Sequence, residues 1–190
     1  MKKVLSLMKK VLLFSILFFI TILAVQAYET VIIKFPAGEK WEKVYYKKFG
    51  IESILQYAPS GEHHKNWSRS IIIHAYPDSA HIVNNFMSNN LAKMFKNNPT
   101  GGYKYLKQTP TDSIAVRCTD DYKNIKTQCE IYRVTRAHDG VITIHYVNRN
   151  KDDFIKNAKQ WYEIIKRAKF LNTYWRNERT LNKSEYFEIW

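Results

Sequence analysis

Between residues 30 and 147 the chain is a succession of short apolar runs, many rich in Val, Ile, Thr and aromatics, cut by turn residues. One stretch of helical period interrupts this succession and a second follows it. That pattern constrains the fold most. Short strands joined by short turns pair antiparallel, and a helix with one apolar stripe must cover a sheet face. Residues 30–35 read as a first strand, ended by Pro36-Ala37-Gly38. Residues 41–50 read as a polar, aromatic connection. Residues 51–57 and 67–76 follow as strands, the second centred on Ile71-Ile72-Ile73, whose branched side chains suit a pleated backbone. Between them Pro59 and Gly61 supply turn chemistry.

Pro77-Asp78-Ser79 opens a helix, with Asp78 or Ser79 able to accept from the first free amides. Ile82, Phe86, Leu91 and Met94 or Phe95 carry its period to about Lys96. Pro99, Gly101 and Gly102 break it. Residues 103–106 are a candidate short strand, and 113–118, 129–135 and 141–147 are three more, the last two joined by an Asp139-Gly140 hairpin signal. Asp152 or Asp153 starts the final helix, whose apolar face is Phe154, Ala158, Trp161, Ile165 and Ala168. Residues 175–190 read as a short helix packing back. The expected fold is α+β in the order β-β-β-α-β-β-β-α: a single domain with an antiparallel sheet covered by two main helices.

The first 27 residues carry a different pattern. Lys2, Lys3, Lys9 and Lys10 precede an apolar run over residues 11–25, and Val25 and Ala27 stand at −3 and −1 of a cut after Ala27. This is the three-part pattern of a cleavable signal peptide. The competing reading, a retained anchor, needs roughly 20 apolar residues, more than this run supplies. The expected organisation is a signal peptide over 1–27 and one α+β domain over 28–190, exported to the periplasm or beyond the cell. Removing 1–27, which hold four lysines and no acid, takes the formal net charge from +13 to +9. A basic domain favours anionic partners, so an envelope protein or an anionic envelope component is the expected partner. The basic residues are scattered, with no run of five or more, which argues against a nucleic-acid tail.

Cys118 and Cys129 are the chain's two cysteines. In an oxidising compartment such a pair is most simply a disulfide, and neither a C-x-x-C spacing nor extra ligands favours redox or metal chemistry. Cys118 shares a strand face with Ile114 and Val116, and Cys129 with Ile131. If the two strands pair with the cysteines opposed, their Cα atoms lie about 4.5–5.5 Å apart, within disulfide range.

The segment from Glu52 to Glu62, with Pro59, Ser60 and Gly61 at its turn, followed by Asn66-Trp67-Ser68, resembles small bacterial secreted proteins of unassigned function. Their layout is similar to the PsbP-type α/β sandwich. The resemblance implies a fold and an envelope location, and no reaction.

Glu62-His63-His64 is the densest polar cluster. Adjacent histidines could bind Zn²⁺ or Cu²⁺ if folding brought a third ligand, for which His74 and His81 are candidates. Neighbouring strand residues point to opposite faces, which favours a solvated turn. His74 shares a face with Ile72 and Tyr76, and His145 with Val141 and Thr143. His138, beside the hairpin signal, has no evident partner. A general base needs a nucleophile and an orienting group, and neither Gly-x-Ser-x-Gly nor a lone reactive cysteine is present. The expected function is an exported, non-enzymatic binding domain without cofactor. The alternative is a secreted hydrolase or metal-binding protein using His63 and His64.

Overall fold

The computed structural model of the protein describes residues 28–77, 83–137, 140–173 and 186–188. Ten strands and two helices occur there. The strands are β1 (Tyr28–Ile32), β2 (Trp41–Phe49), β3 (Glu52–Pro59) and β4 (Arg69–Pro77). Helix α1 (Val83–Asn97) follows, then β5 (Gly102–Gln108), β6 (Asp112–Thr119), β7 (Gln128–Arg136) and β8 (Gly140–Asn148). Helix α2 (Lys151–Arg167), β9 (Lys169–Thr173) and β10 (Tyr186–Glu188) follow among the described residues. Seven strands form one antiparallel sheet in the order β2-β3-β4-β8-β7-β6-β5, and β10-β1-β9 form a second, smaller sheet.

The α+β class, the antiparallel sheet and its two helices are as the sequence indicates. The differences have physical causes. Residues 41–50, expected as a connection, contain strand β2, which lies at the sheet edge with most of its side chains exposed. A strand wet on both faces carries no apolar alternation to read. The first strand lies in the smaller sheet, yet Val31 and Ile33 are fully buried in the main core. Within 175–190, expected as a helix, the described residues Tyr186–Glu188 are a strand paired with β1. Asp78, Ser79, His81, Ile82, His138 and Asp139 lie outside the described residues.

The helices pack on opposite faces. Helix α2 buries Phe154, Trp161 and Ile165, spaced to share one face, against Ile114, Ile131, Ile142, Ile144 and Tyr146. Helix α1 buries Val83, Met87 and Leu91 against Ala115, Tyr132, Val134 and Val141. Ile114 and Ala115, Ile131 and Tyr132, and Val141 and Ile142 are consecutive pairs, and consecutive strand residues point to opposite faces. The start of α2 is fixed locally: Asn150 Oδ1 accepts from the Asp153 amide (2.9 Å), and Asp152 and Asp153 occupy the first turn.

Cys118 and Cys129 oppose each other across β6 and β7 and form a disulfide, with Cα atoms 4.0 Å apart. This is closer than the roughly 4.5–5.5 Å expected for the opposed pair. Cys129 is fully buried in the α2-side core, and Cys118 packs against it from the partly buried rim, as the strand faces predict.

Candidate functional site

Helix α1 packs over β5, β6 and β7. The same sheet face continues across β8, β4 and β3, where α1 reaches Val141 of β8 and, through Phe86, Tyr76 of β4. Five ionisable residues on that face lie in a lane across five strands: Glu52 on β3, His74 on β4, His145 on β8, Glu130 on β7 and Arg117 on β6. Strand register places them. His74 opposes Ile54 and Thr143, His145 opposes Ile72 and Tyr132, and Glu130 opposes Arg117. The two histidines are therefore diagonal neighbours across the β4–β8 pair.

Each imidazole is held at one nitrogen and one ring face. His74 Nε2 lies 3.2 Å from Glu52 Oε2, and its ring stacks on Tyr76 at 3.8 Å. His145 Nδ1 lies 3.1 Å from Glu130 Oε2, and its ring stacks on Tyr132 at 4.1 Å. A carboxylate at one ring nitrogen fixes the ring's orientation and leaves the other nitrogen to be offered elsewhere. The His74 and His145 side chains are 20% and 19% exposed, whereas those of Glu130 and Arg117 are only 4% and 6% exposed. The lane thus opens at the histidines and closes on a buried ion pair.

That pair is anchored to α1. Arg117 Nη2 donates to the carbonyls of Met94 (3.0 Å) and Asn98 (2.9 Å), at the helix's C-terminal end, where a cation is favoured. Its Nη1 lies 3.7 Å from Glu130 Oε1, an ion-pair distance beyond hydrogen bonding, and Oε1 has no hydrogen-bond partner. Burial holds His74 below the usual imidazole range, assisted by His145 and opposed by Glu52. Burial, assisted by the Glu52 charge, pushes Tyr76 up to about 12, so it is a neutral donor at physiological pH. Tyr132 is pushed well up by burial, with Tyr76 and Glu130 assisting. Phe86 of α1 meets the Tyr76 ring edge-on at 4.9 Å and walls one side. The one hydroxyl opposite His74, that of Thr143, is fully buried and donates to the His74 carbonyl (3.5 Å).

The cluster singled out in the sequence lies elsewhere. His63 and His64 sit in the exposed β3–β4 turn. The His63 backbone exchanges hydrogen bonds with Asn66 (3.2 and 3.0 Å), the His64 ring stacks on Tyr45 at 5.3 Å, and Glu62 accepts from the Ser68 amide (2.7 Å). His74, a proposed third ligand, is engaged with Glu52 instead. Among the described residues no group of three or more His, Cys, Asp or Glu is placed to hold a metal ion. Trp67, at the end of this turn, carries the Arg149 guanidinium over its ring at 3.9 Å.

A protein-family model matches residues 33–174, most of the chain and all of the seven-stranded sheet with both helices. The chain belongs to this family. The family is uncharacterised, which agrees with the resemblance to proteins of unassigned function, and the match carries no support for the PsbP-type superfold. No curated protein and no solved structure matches the chain.

Sequence reasoning placed His74 and His145 on their correct faces and missed their partners. A signal was available. Antiparallel register that opposes Cys118 to Cys129 also opposes Arg117 to Glu130, one residue away on each strand. Opposite charges at facing, inward positions mark a buried pair.

Proposed function

We propose that this protein is an exported, non-enzymatic binding domain that contacts an envelope component through the lane containing His74 and His145. The carrying observation is that the two imidazoles are each oriented by a carboxylate and an aromatic ring, side by side on one sheet face at the margin of α1. Oriented imidazoles suit recognition: they offer fixed donors and acceptors, and half-buried Ile54 and Ile72 lie between the polar groups. The basic balance of +9 after residue 27 favours an anionic or acidic partner. The signal-like pattern of residues 1–27 and the disulfide both support export, since disulfides persist in oxidising compartments.

Photo-crosslinking tests this reading. A benzophenone amino acid replacing Ile72, in the lane, is expected to capture a discrete partner in intact cells. The same probe replacing Ile155, exposed on α2, is expected to capture none. Equal products from both positions, or capture only of cytosolic proteins, would overturn it.

A further inference from the structure

A second surface, away from the lane's imidazoles, has a different chemistry. Residues 46–51, which end β2 and make its turn into β3, are exposed without interruption. Three of them are large and apolar: Tyr46, Phe49 and Ile51 are 47%, 49% and 56% exposed. Lys47 and Lys48 lie between them, and Lys47 Nζ sits 4.4 Å above the Phe49 ring. Strand alternation puts Lys47 and Phe49 on one face and Tyr46 and Lys48 on the other, so each face of the hairpin end pairs an apolar group with a lysine. Gly50, at φ +61°, makes the turn, and nothing lies within 4 Å of the position a side chain would take there. The nearby acids are engaged: Glu52 with His74, and Glu42 with Ser60.

An isolated exposed apolar side chain needs no explanation, but three within six residues, shared between the two faces of one hairpin end, make that end a candidate for insertion edge-on into an apolar boundary. Lysines interleaved with aromatic and aliphatic groups match a bilayer interface. There apolar groups enter the acyl boundary and ammonium groups meet anionic headgroups. The lysine stems extend along the apolar groups while their charges stay wet.

We infer that the β2–β3 hairpin end is a membrane-surface wedge that docks the domain reversibly on anionic lipid. The hairpin end adjoins the lane, since Phe49 opposes Glu52 and Lys47 opposes Ile54, but the inference does not rest on recognition by the lane's imidazoles. Binding weakens as salt rises, because the lysine contribution is screened, and each lysine removed costs about fivefold in affinity.

An environment-sensitive fluorophore tests it. The native cysteines are bridged, so Ile51→Cys supplies one free thiol for labelling in the full chain. Vesicles of phosphatidylglycerol and phosphatidylcholine should shift the label's emission to the blue. Phosphatidylcholine alone should shift it at least tenfold less at equal lipid, and Lys47→Gln with Lys48→Gln should weaken the response about 25-fold. Ile155→Cys, on a lysine-bearing helix face with one exposed Ile, is the control for non-specific adsorption and for any contribution of residues 1–27. Phe49→Cys replaces Ile51→Cys if the latter does not fold. No blue shift at position 51 or 49 would overturn the inference and leave a protein partner for this surface. An equal shift at position 155, or one insensitive to the lysines, would also overturn it.

Discussion

Arg133 ties the sheet to α2, and its removal should cost more than any other single truncation of a polar side chain in the domain. The side chain rises from β7 and is 9% exposed. Its Nη1 donates to the carbonyls of Ile165 (2.7 Å), Lys166 (3.1 Å) and Ala168 (3.0 Å), which end α2. Its Nε and Nη2 fork onto Asp112 at 2.7 and 3.3 Å, and the guanidinium lies 5.2 Å from the Phe170 ring centre. Arg133→Met keeps much of the volume and removes every one of these donors. Breaking a buried pair by deleting one partner costs about 3–5 kcal/mol. Asp112 retains Lys107 as a partner, which places the expected loss near the lower end, about 3 kcal/mol. With a urea m-value of about 2 kcal/mol/M, the unfolding midpoint should fall by about 1.5 M, read by tryptophan fluorescence. Arg133→Lys should recover less than half, because an ammonium group cannot fork onto a carboxylate while reaching three carbonyls. A midpoint lowered by less than about 0.5 M in Arg133→Met would refute the reasoning.

The disulfide closes a short loop, so Cys118→Ser with Cys129→Ser should lower stability by about 2–3 kcal/mol. An unchanged unfolding midpoint on adding reductant to the wild type would contradict this. Folded His74 resists protonation and the unfolded chain does not. Its contribution is therefore complete above the unfolded value near 6.5 and is lost as pH falls through the lower folded value. Unfolding midpoints between pH 7.5 and 5 should decline, with a shallower decline in His74→Gln; parallel profiles would contradict it. Elemental analysis of purified protein should find no stoichiometric zinc or copper dependent on His63 and His64, whereas metal lost in His63→Ala and His64→Ala would revive the metal-binding alternative.

What the sequence made legible follows the range of the underlying physics. The α2 face, Phe154 to Ile165, and the β7–β8 hairpin rest on local periodicity and turn chemistry. The opposed cysteines followed from side-chain alternation plus one pairing assumption. Strand β2 was hidden because Tyr46, Lys47, Lys48 and Phe49 all face water, so no burial pattern was imposed on them. The lane was hidden for another reason. Glu52 and His74 are 22 positions apart, and Glu130 and His145 are 15 apart. Each pair meets across a hairpin, β3–β4 or β7–β8, but the two pairs become one lane because β4 pairs with β8, a contact between two separate meanders that no local signal announces. His63 and His64 drew attention because they are adjacent in the chain, and adjacency within an exposed turn assembles nothing by itself.

The most direct test of the lane as the contact surface is NMR of the histidine-labelled protein during titration with a detergent-solubilised envelope fraction. The imidazole signals of His74 and His145 should shift or broaden, while those of His63 and His64 stay in place. His145→Ala should abolish the change at His74. Perturbation confined to His63 and His64, with His74 and His145 unmoved, would contradict the account.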